Sequence, residues 1–190
     1  MNGRKTLFVL AFMIVLFASA AVQAVVIKGI SFDDTVVAGE TRLFLKGTAL
    51  SRYLVIIKGY VGAFYLPEGV ESREALEDVS KHLVLEYFHA IKAKQFGSAT
   101  KTLIKKNVAP DEFNRLLPKI NRLVAAYRDV EPGDRYGLTY IPGYGTRLML
   151  NGELLVVIPG GDFAKALFSV WIGPHPIDEW FRSHVLGINK

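Results

Sequence analysis

Residues 45 to 67 read LKGTALSRYLVIIKGYVGAFYLP, and the fold depends on how that stretch is taken. It is the longest apolar, β-branched and aromatic run outside the N-terminus. Both parities of its second half are mostly apolar: Tyr53, Val55, Ile57, Gly59, Val61, Ala63 and Tyr65 on one, Leu54, Ile56, Lys58, Tyr60, Gly62, Phe64 and Leu66 on the other. That pattern predicts one long strand from Arg52 to Leu66, covered on both faces. Gly59 and Gly62 mark a bend, a bulge or a close approach by another segment. Arg52, Lys58 and Tyr60 are polar groups that such a strand does not ordinarily carry. A charge there must reach water, find a partner or bind something, because burying it alone is costly.

Working outward, Val25 to Phe32 reads as a strand closed by a turn at Asp33-Asp34, and Thr41 to Lys46 as a second strand broken by Gly47. After Pro67 and Gly69, Ser72 has the character of a helix N-cap. Lys81 to Ile91 alternates as a strand. Lys92 to Asn107 is a basic helix whose less polar face is Phe96, Ala99, Thr100, Leu103 and Ile104. From Pro110 a second helix follows the i, i+3, i+4, i+7 rule through Phe113, Leu116, Leu117, Ile120, Leu123, Val124 and Tyr127, with a kink or break expected at Pro118. Strands over Arg135 to Ile141, Thr146 to Leu150 and Glu153 to Ile158 form a meander, the last two joined by Asn151-Gly152, a strong hairpin signal. Asp162 then caps a helix with Phe163, Ala166, Leu167, Val170 and Trp171 on its apolar face, and Ile177 to Val185 is the last helix. Strands, helices, strands, helices in that order predict an α+β fold with helices on one face of an antiparallel sheet.

The 190 residues contain no cysteine, so neither a disulfide framework nor thiolate chemistry is available. Residues 1 to 24 have the pattern of a secretory signal: Arg4 and Lys5, an apolar core from Thr6 to Phe17, and small residues up to Val22-Gln23-Ala24. Cleavage after Ala24 leaves one domain, 25 to 190, in the periplasm or outside the cell, with no transmembrane anchor; a leader retained as an uncleaved anchor is the alternative. It also lowers the formal net charge from +5 to +3, too little to argue for nucleic acid. His82, His89, His175 and His184 lack the spacing of metal ligands, and no cofactor is implied. No Ser-His-Asp or paired-carboxylate arrangement is legible. Gly160-Gly161-Asp162 reads as a structural turn, since Asp162 would repel an anion at that helix start. The lysines of 92 to 106 could steer anionic ligands or lipid headgroups, but such a face is more often simply solvated.

Arg52 and Tyr60 remain as candidate ligand-binding residues, although the pattern alone favours Arg52 at a strand end in water and Tyr60 as a core tyrosine bonded to backbone. Arg52 offers a fork of donors for a carboxylate, and Tyr60 a hydroxyl on an apolar body. In a straight strand, eight residues at about 3.3 Å each separate them by roughly 26 Å, so a shared headgroup requires the chain to bend between them.

The stretch at 45 to 67, with YRDVEPGDRYGLTYIPGYGTRLMLNGELL at 127 to 155 and GGDFAKALFSVWIGPHPIDEWFRSHVLG at 160 to 187, resembles the chalcone isomerase-like family, and within it a bacterial exported branch. The resemblance covers most of 43 to 187. It implies an open-faced β-sandwich with a pocket between the sheet and a helical layer. In plant members that cyclise chalcones, an arginine, a threonine and a helix-borne tyrosine and asparagine line the site. Arg52 matches the arginine, Tyr60 stands at the threonine position, and Phe96 and Leu103 fall near the two helix donors. Other members bind fatty acids through an arginine and a tyrosine, a pattern that Arg52 and Tyr60 resemble more closely. The expectation is therefore an exported, non-catalytic binder of a small hydrophobic carboxylate. The alternatives are an isomerase or intramolecular lyase on a chalcone-like or enone substrate, with Arg52 and Tyr60 as its catalytic residues, and an envelope partner protein.

Overall fold

The computed structural model describes residues 24–53 and 57–188, with residues 52, 53, 57 and 58 as backbone only. The leader expected over residues 1 to 24 therefore lies, except for Ala24, outside the described residues.

A seven-stranded antiparallel sheet forms the centre, its strands in sequence order: β3 (Thr35–Ala38), β4 (Thr41–Tyr53), β5 (Ile57–Pro67), β6 (Lys81–Tyr87), β7 (Arg135–Ile141), β8 (Gly145–Leu150) and β9 (Glu153–Ile158). A separate hairpin, β1 (Ala24–Ile27) and β2 (Ile30–Asp33), precedes it. Four helices follow the sheet's inner face: α1 (Ala93–Asn107), α2 (Pro110–Ala126), α3 (Gly161–Ile172) and α4 (Glu179–Val185). This is the expected α+β class, with the helices gathered on one face of an antiparallel sheet.

Alternation along the strands supplies two cores. On the inner face, Phe64, Leu66, Leu83, Leu85, Leu138 and Leu148 meet Phe163, Leu167, Phe168 and Phe181 from the helices. On the outer face, Val61, Ala63 and Tyr65 are covered by Phe32 of β2 and by Ala38 and Leu43. The apolar residues of both parities in β5 are thus both buried, as the pattern required. Each fully buried phenylalanine contributes about 1.5–3 kcal/mol relative to an exposed one. Helix α3 is buried almost all round, from Phe163 to Ile172, because it lies inside the helical layer.

Local chemistry explains most boundaries. Asn151 and Gly152 take positive φ of 50° and 85° and close the β8–β9 hairpin. Pro110 occupies the first turn of α2, which buries Leu116, Ile120 and Leu123. Asp129, just after α2, accepts a hydrogen bond from Ala93 N at 2.9 Å and so caps α1 from outside.

Five expectations need correction. Val25 to Phe32 is two strands, because Lys28 and Gly29 adopt positive φ of 54° and 84° and turn the chain back. Gly47 does not end its strand: β4 runs on to Tyr53 past a bulge between Leu45 and Gly47. Arg52 to Leu66 is not one strand, since the chain reverses after Tyr53 and β5 pairs antiparallel with β4. Asp162 does not cap α3, which begins at Gly161 with Gly160 as its cap residue, whereas α2 runs through Pro118 without ending there. Ser72 lies in a single 3-10 turn, Ser72–Glu74, and caps no α-helix.

On the outer face His82 is half-buried, its Nδ1 2.8 Å from Thr139 Oγ1 and its ring 5.6 Å from that of Tyr65. Burial first, and then the charge of Arg147, lower its pKa from 6.5 to about 4. Between those values the unfolded chain takes up a proton that the native protein does not. The contribution of this site to stability is therefore fully present above about pH 6.5 and lost as pH falls toward 4. Denaturant melts of the wild type and of His82→Gln at several pH values should show a stability difference that changes over this window; a difference independent of pH would refute the assignment.

Candidate functional site

Between the inner face of the sheet and the helices lies a cavity of about 480 Å³, within the range of small-molecule sites. Its sheet wall is Tyr60, Leu85, Tyr87, Tyr136, Leu138 and Leu148; its helical wall is Phe96, Ala99, Thr100 and Leu103 of α1 with Val170 and Trp171 of α3. Ser51, Gly59, His89, Gln95, Ile177 and Asp178 stand around it as well, and His89, Gln95 and Ile177 are exposed at its rim.

One side of the cavity is aromatic. Tyr87 meets Phe96 edge-on at 5.3 Å between centroids, and Phe96 lies 5.5 Å from Tyr127 and 5.3 Å from Tyr136. Two of these phenols are committed to the protein. Tyr127 Oη shares a hydrogen bond of 3.1 Å with Thr100 Oγ1. Tyr136 Oη donates to Arg128 O and accepts from Arg128 N, both at 2.8 Å.

Tyr60 differs. Its residue is 8% exposed and its hydroxyl is buried with no hydrogen-bond partner among the described residues. Thr146 Oγ1 and Arg147 Nε are likewise unpaired, but neither residue lines the cavity. The Tyr60 ring is wedged edge-on between Tyr87 at 5.8 Å and Phe181 at 5.2 Å. Burial foremost, opposed by the Ser51 hydroxyl and the Trp171 indole, which approach its oxygen without meeting hydrogen-bond geometry, and reinforced by the negative Asp178, pushes its pKa well above the ordinary phenol value. Tyr60 is thus a neutral O–H at any biological pH, carried by a residue that lines the cavity.

The hairpin brings the two candidates closer than a single strand would. Tyr60 lies across from Ser51, and the next pair is Arg52 with Lys58, Gly59 being the extra residue of a bulge. The separation of roughly 26 Å implied by about 3.3 Å per residue of straight strand does not exist, because the chain reverses between Arg52 and Tyr60. The bend is not at Gly59. The Arg52 side chain falls outside the described residues.

Two site residues carry no sequence signal of their own. Ser51 Oγ donates to Asp178 Oδ2 at 2.9 Å, and Asp178 Oδ1 accepts from Phe181 N at 2.9 Å, capping α4. A fixed carboxylate therefore stands at the polar end of the cavity. Asp178 is 127 positions from Ser51, and only its place just before an apolar helical run hinted at a cap. Phe96 and Leu103 both face the cavity and carry no hydrogen-bond donor on their side chains.

Two glycines let α4 close this end. A Cβ on Gly62 would lie 2.7 Å from Phe181 Cζ, and one on Gly47 would lie 2.1 Å from His184 O. The close approach anticipated at Gly62 is that of the Phe181 ring.

A family model described as chalcone isomerase-like matches residues 24–187. The fold is similar to the crystal structure of an Arabidopsis thaliana fatty-acid binding protein, with a TM-score of 0.66 and 16% sequence identity, covering 87% of this chain and 97% of that one. At that identity the likeness concerns the fold. A search of curated proteins finds no similar sequence.

Proposed function

The chain belongs to the chalcone isomerase-like family, and from that premise we propose that it is an exported, non-catalytic binder of a hydrophobic carboxylic acid such as a fatty acid. The observation that carries the reading is Tyr60 in the wall of an apolar cavity of about 480 Å³, its hydroxyl buried and without a hydrogen bond among the described residues. A buried donor without a partner costs about 1–3 kcal/mol, and a ligand acceptor removes that cost. The aliphatic and aromatic walls suit a chain or ring, and the polar end suits a headgroup. The similar fold of a protein named as a fatty-acid binder supports the same class of ligand.

Asp178 sets a condition on the headgroup. Its carboxylate would repel a ligand carboxylate unless a cation stands between them. Arg52, the arginine at which the sequence resembles the family, is the group we assign to that task. Catalysis of cyclisation requires donors on the developing enolate, and Phe96 and Leu103 supply none from the helical wall. Export rests on the leader pattern of residues 1 to 24.

Mass spectrometry of material extracted from the purified protein should find an amphipathic acid. Titration with a labelled fatty acid should then show saturable binding that Arg52→Ala weakens about tenfold or more, the worth of a charge-assisted contact. An empty extract with no binding, or affinity unchanged by Arg52→Ala, would reject the proposal.

A further inference from the structure

Helix α1 has two faces. One lines the cavity; Lys94, Lys101 and Lys105 lie on the other and Lys106 between the two, and the helix contains no acidic residue. None of these four lysines makes an ion pair among the described residues, where every pair involves other groups. The C-terminal end of α1 is fastened to the segment leading into α4. The Asn107 amide donates to His175 O at 2.9 Å and accepts from His175 N at 3.0 Å. Lys106 shares a shallow depression with His175, Pro176 and Glu179.

Two large apolar side chains stand out of this junction. Ile177, at the cavity rim, is 45% exposed, and Trp180 is 49% exposed. The indole is held in place rather than loose: it stacks on His184 at 3.8 Å between centroids. The acid beside it, Glu179, lies 3.7 Å from Arg182, so its charge is offset.

We infer that this face, with Lys106 at the junction that exposes Ile177 and Trp180 and the other lysines further along α1, docks on an anionic lipid surface. Unpaired cations are attracted to anionic headgroups, and an exposed indole beside an isoleucine is suited to the headgroup boundary, where tryptophan is enriched. Because Ile177 belongs both to this face and to the rim, docking presents the cavity opening to the bilayer, the source of an amphipathic ligand. The docking itself does not rest on what the cavity holds.

The test is co-sedimentation of the protein with phosphatidylcholine vesicles, with and without phosphatidylglycerol. Binding is expected only with the anionic lipid and should weaken as salt rises. At about fivefold per lysine, Lys101→Gln, Lys105→Gln and Lys106→Gln together should lower the affinity roughly a hundredfold. The three side chains are not buried, so the fold should survive, which circular dichroism checks. Trp180 emission should shift to the blue on anionic vesicles, a shift that Trp180→Phe abolishes, and Trp180→Ala should weaken binding. Failure to bind anionic vesicles at low salt, or binding unchanged in the triple variant or in Trp180→Ala, overturns the inference. So does a dimer in sedimentation velocity that Trp180→Ala dissolves, since the patch would then be a contact between copies. Fatty-acid titration in solution is a separate measurement, so either result can fail without the other.

Discussion

Replacing Tyr60 with phenylalanine should make the ligand-free protein more stable and a poorer binder. The two effects have opposite signs because they come from one atom. In the free protein the Tyr60 hydroxyl is buried without a hydrogen bond among the described residues, and an unsatisfied buried donor costs about 1–3 kcal/mol. Tyr60→Phe deletes the donor and keeps the ring, which packs between Tyr87 and Phe181. Unfolding free energy by denaturant titration should therefore rise by about 1–2 kcal/mol. If the hydroxyl donates to a ligand carboxylate, the same change removes a hydrogen bond to a charged group. Such bonds contribute about 1.5–3 kcal/mol, or roughly a 10- to 150-fold loss of affinity. A scaffold role for Tyr60 predicts the reverse for stability, since a phenol tied into the structure destabilises when lost. Tyr136, whose hydroxyl both donates to and accepts from Arg128, provides that comparison: Tyr136→Phe should destabilise. A Tyr60→Phe protein that is less stable than wild type, or that binds as well, would remove Tyr60 from the site.

The sequence was read correctly where a short-range rule governs and misread where distant packing does. The Asn151-Gly152 hairpin and the amphipathic α2 follow from residues within a few positions of one another, and local periodicity sees them. The reversal after Tyr53 has no such mark. Leu54, Val55 and Ile56 join β4 to β5 without a glycine, proline, asparagine or aspartate, so an apolar run spans two strands and reads as one. Lys81 was likewise illegible as a core residue: it is 1% exposed because its amine reaches Glu77 O at 2.6 Å and lies over the Tyr140 ring at 5.1 Å. The polar end of the cavity was half visible. Tyr60 is conspicuous in its strand, but Ser51 acquires its meaning only from Asp178, 127 residues later. Gly47 shows the same limit. In isolation it reads as a strand breaker, whereas its role is to leave room for a helix that the chain has yet to make.

That role sets the largest expected loss of stability. Adding a methyl group in Gly47→Ala places Cβ 2.1 Å from His184 O, 3.0 Å from Val185 O and 3.1 Å from Val185 C. All three are backbone atoms, so no rotamer change relieves the clash, and α4 must move off β4. The cost of overpacking a close backbone contact is about 3 kcal/mol. For a chain of this size that lowers the melting temperature by roughly 6–12 °C. The damage extends to the site, because α4 carries Phe181, fully buried against Gly62 and Tyr60, and is capped by Asp178 at the polar end of the cavity. Ligand affinity should fall with stability although Gly47 is remote from the cavity lining. Gly137→Ala is the matched control. It lies in the same sheet, its added Cβ would meet only His82 Cε1 at 3.4 Å and Met149 Cβ at 3.9 Å, and the change should cost less than about 1 kcal/mol. Thermal melts that placed Gly47→Ala level with Gly137→Ala would mean that α4 is not held against β4 in this way. The closure of the cavity by α4 would then need another explanation.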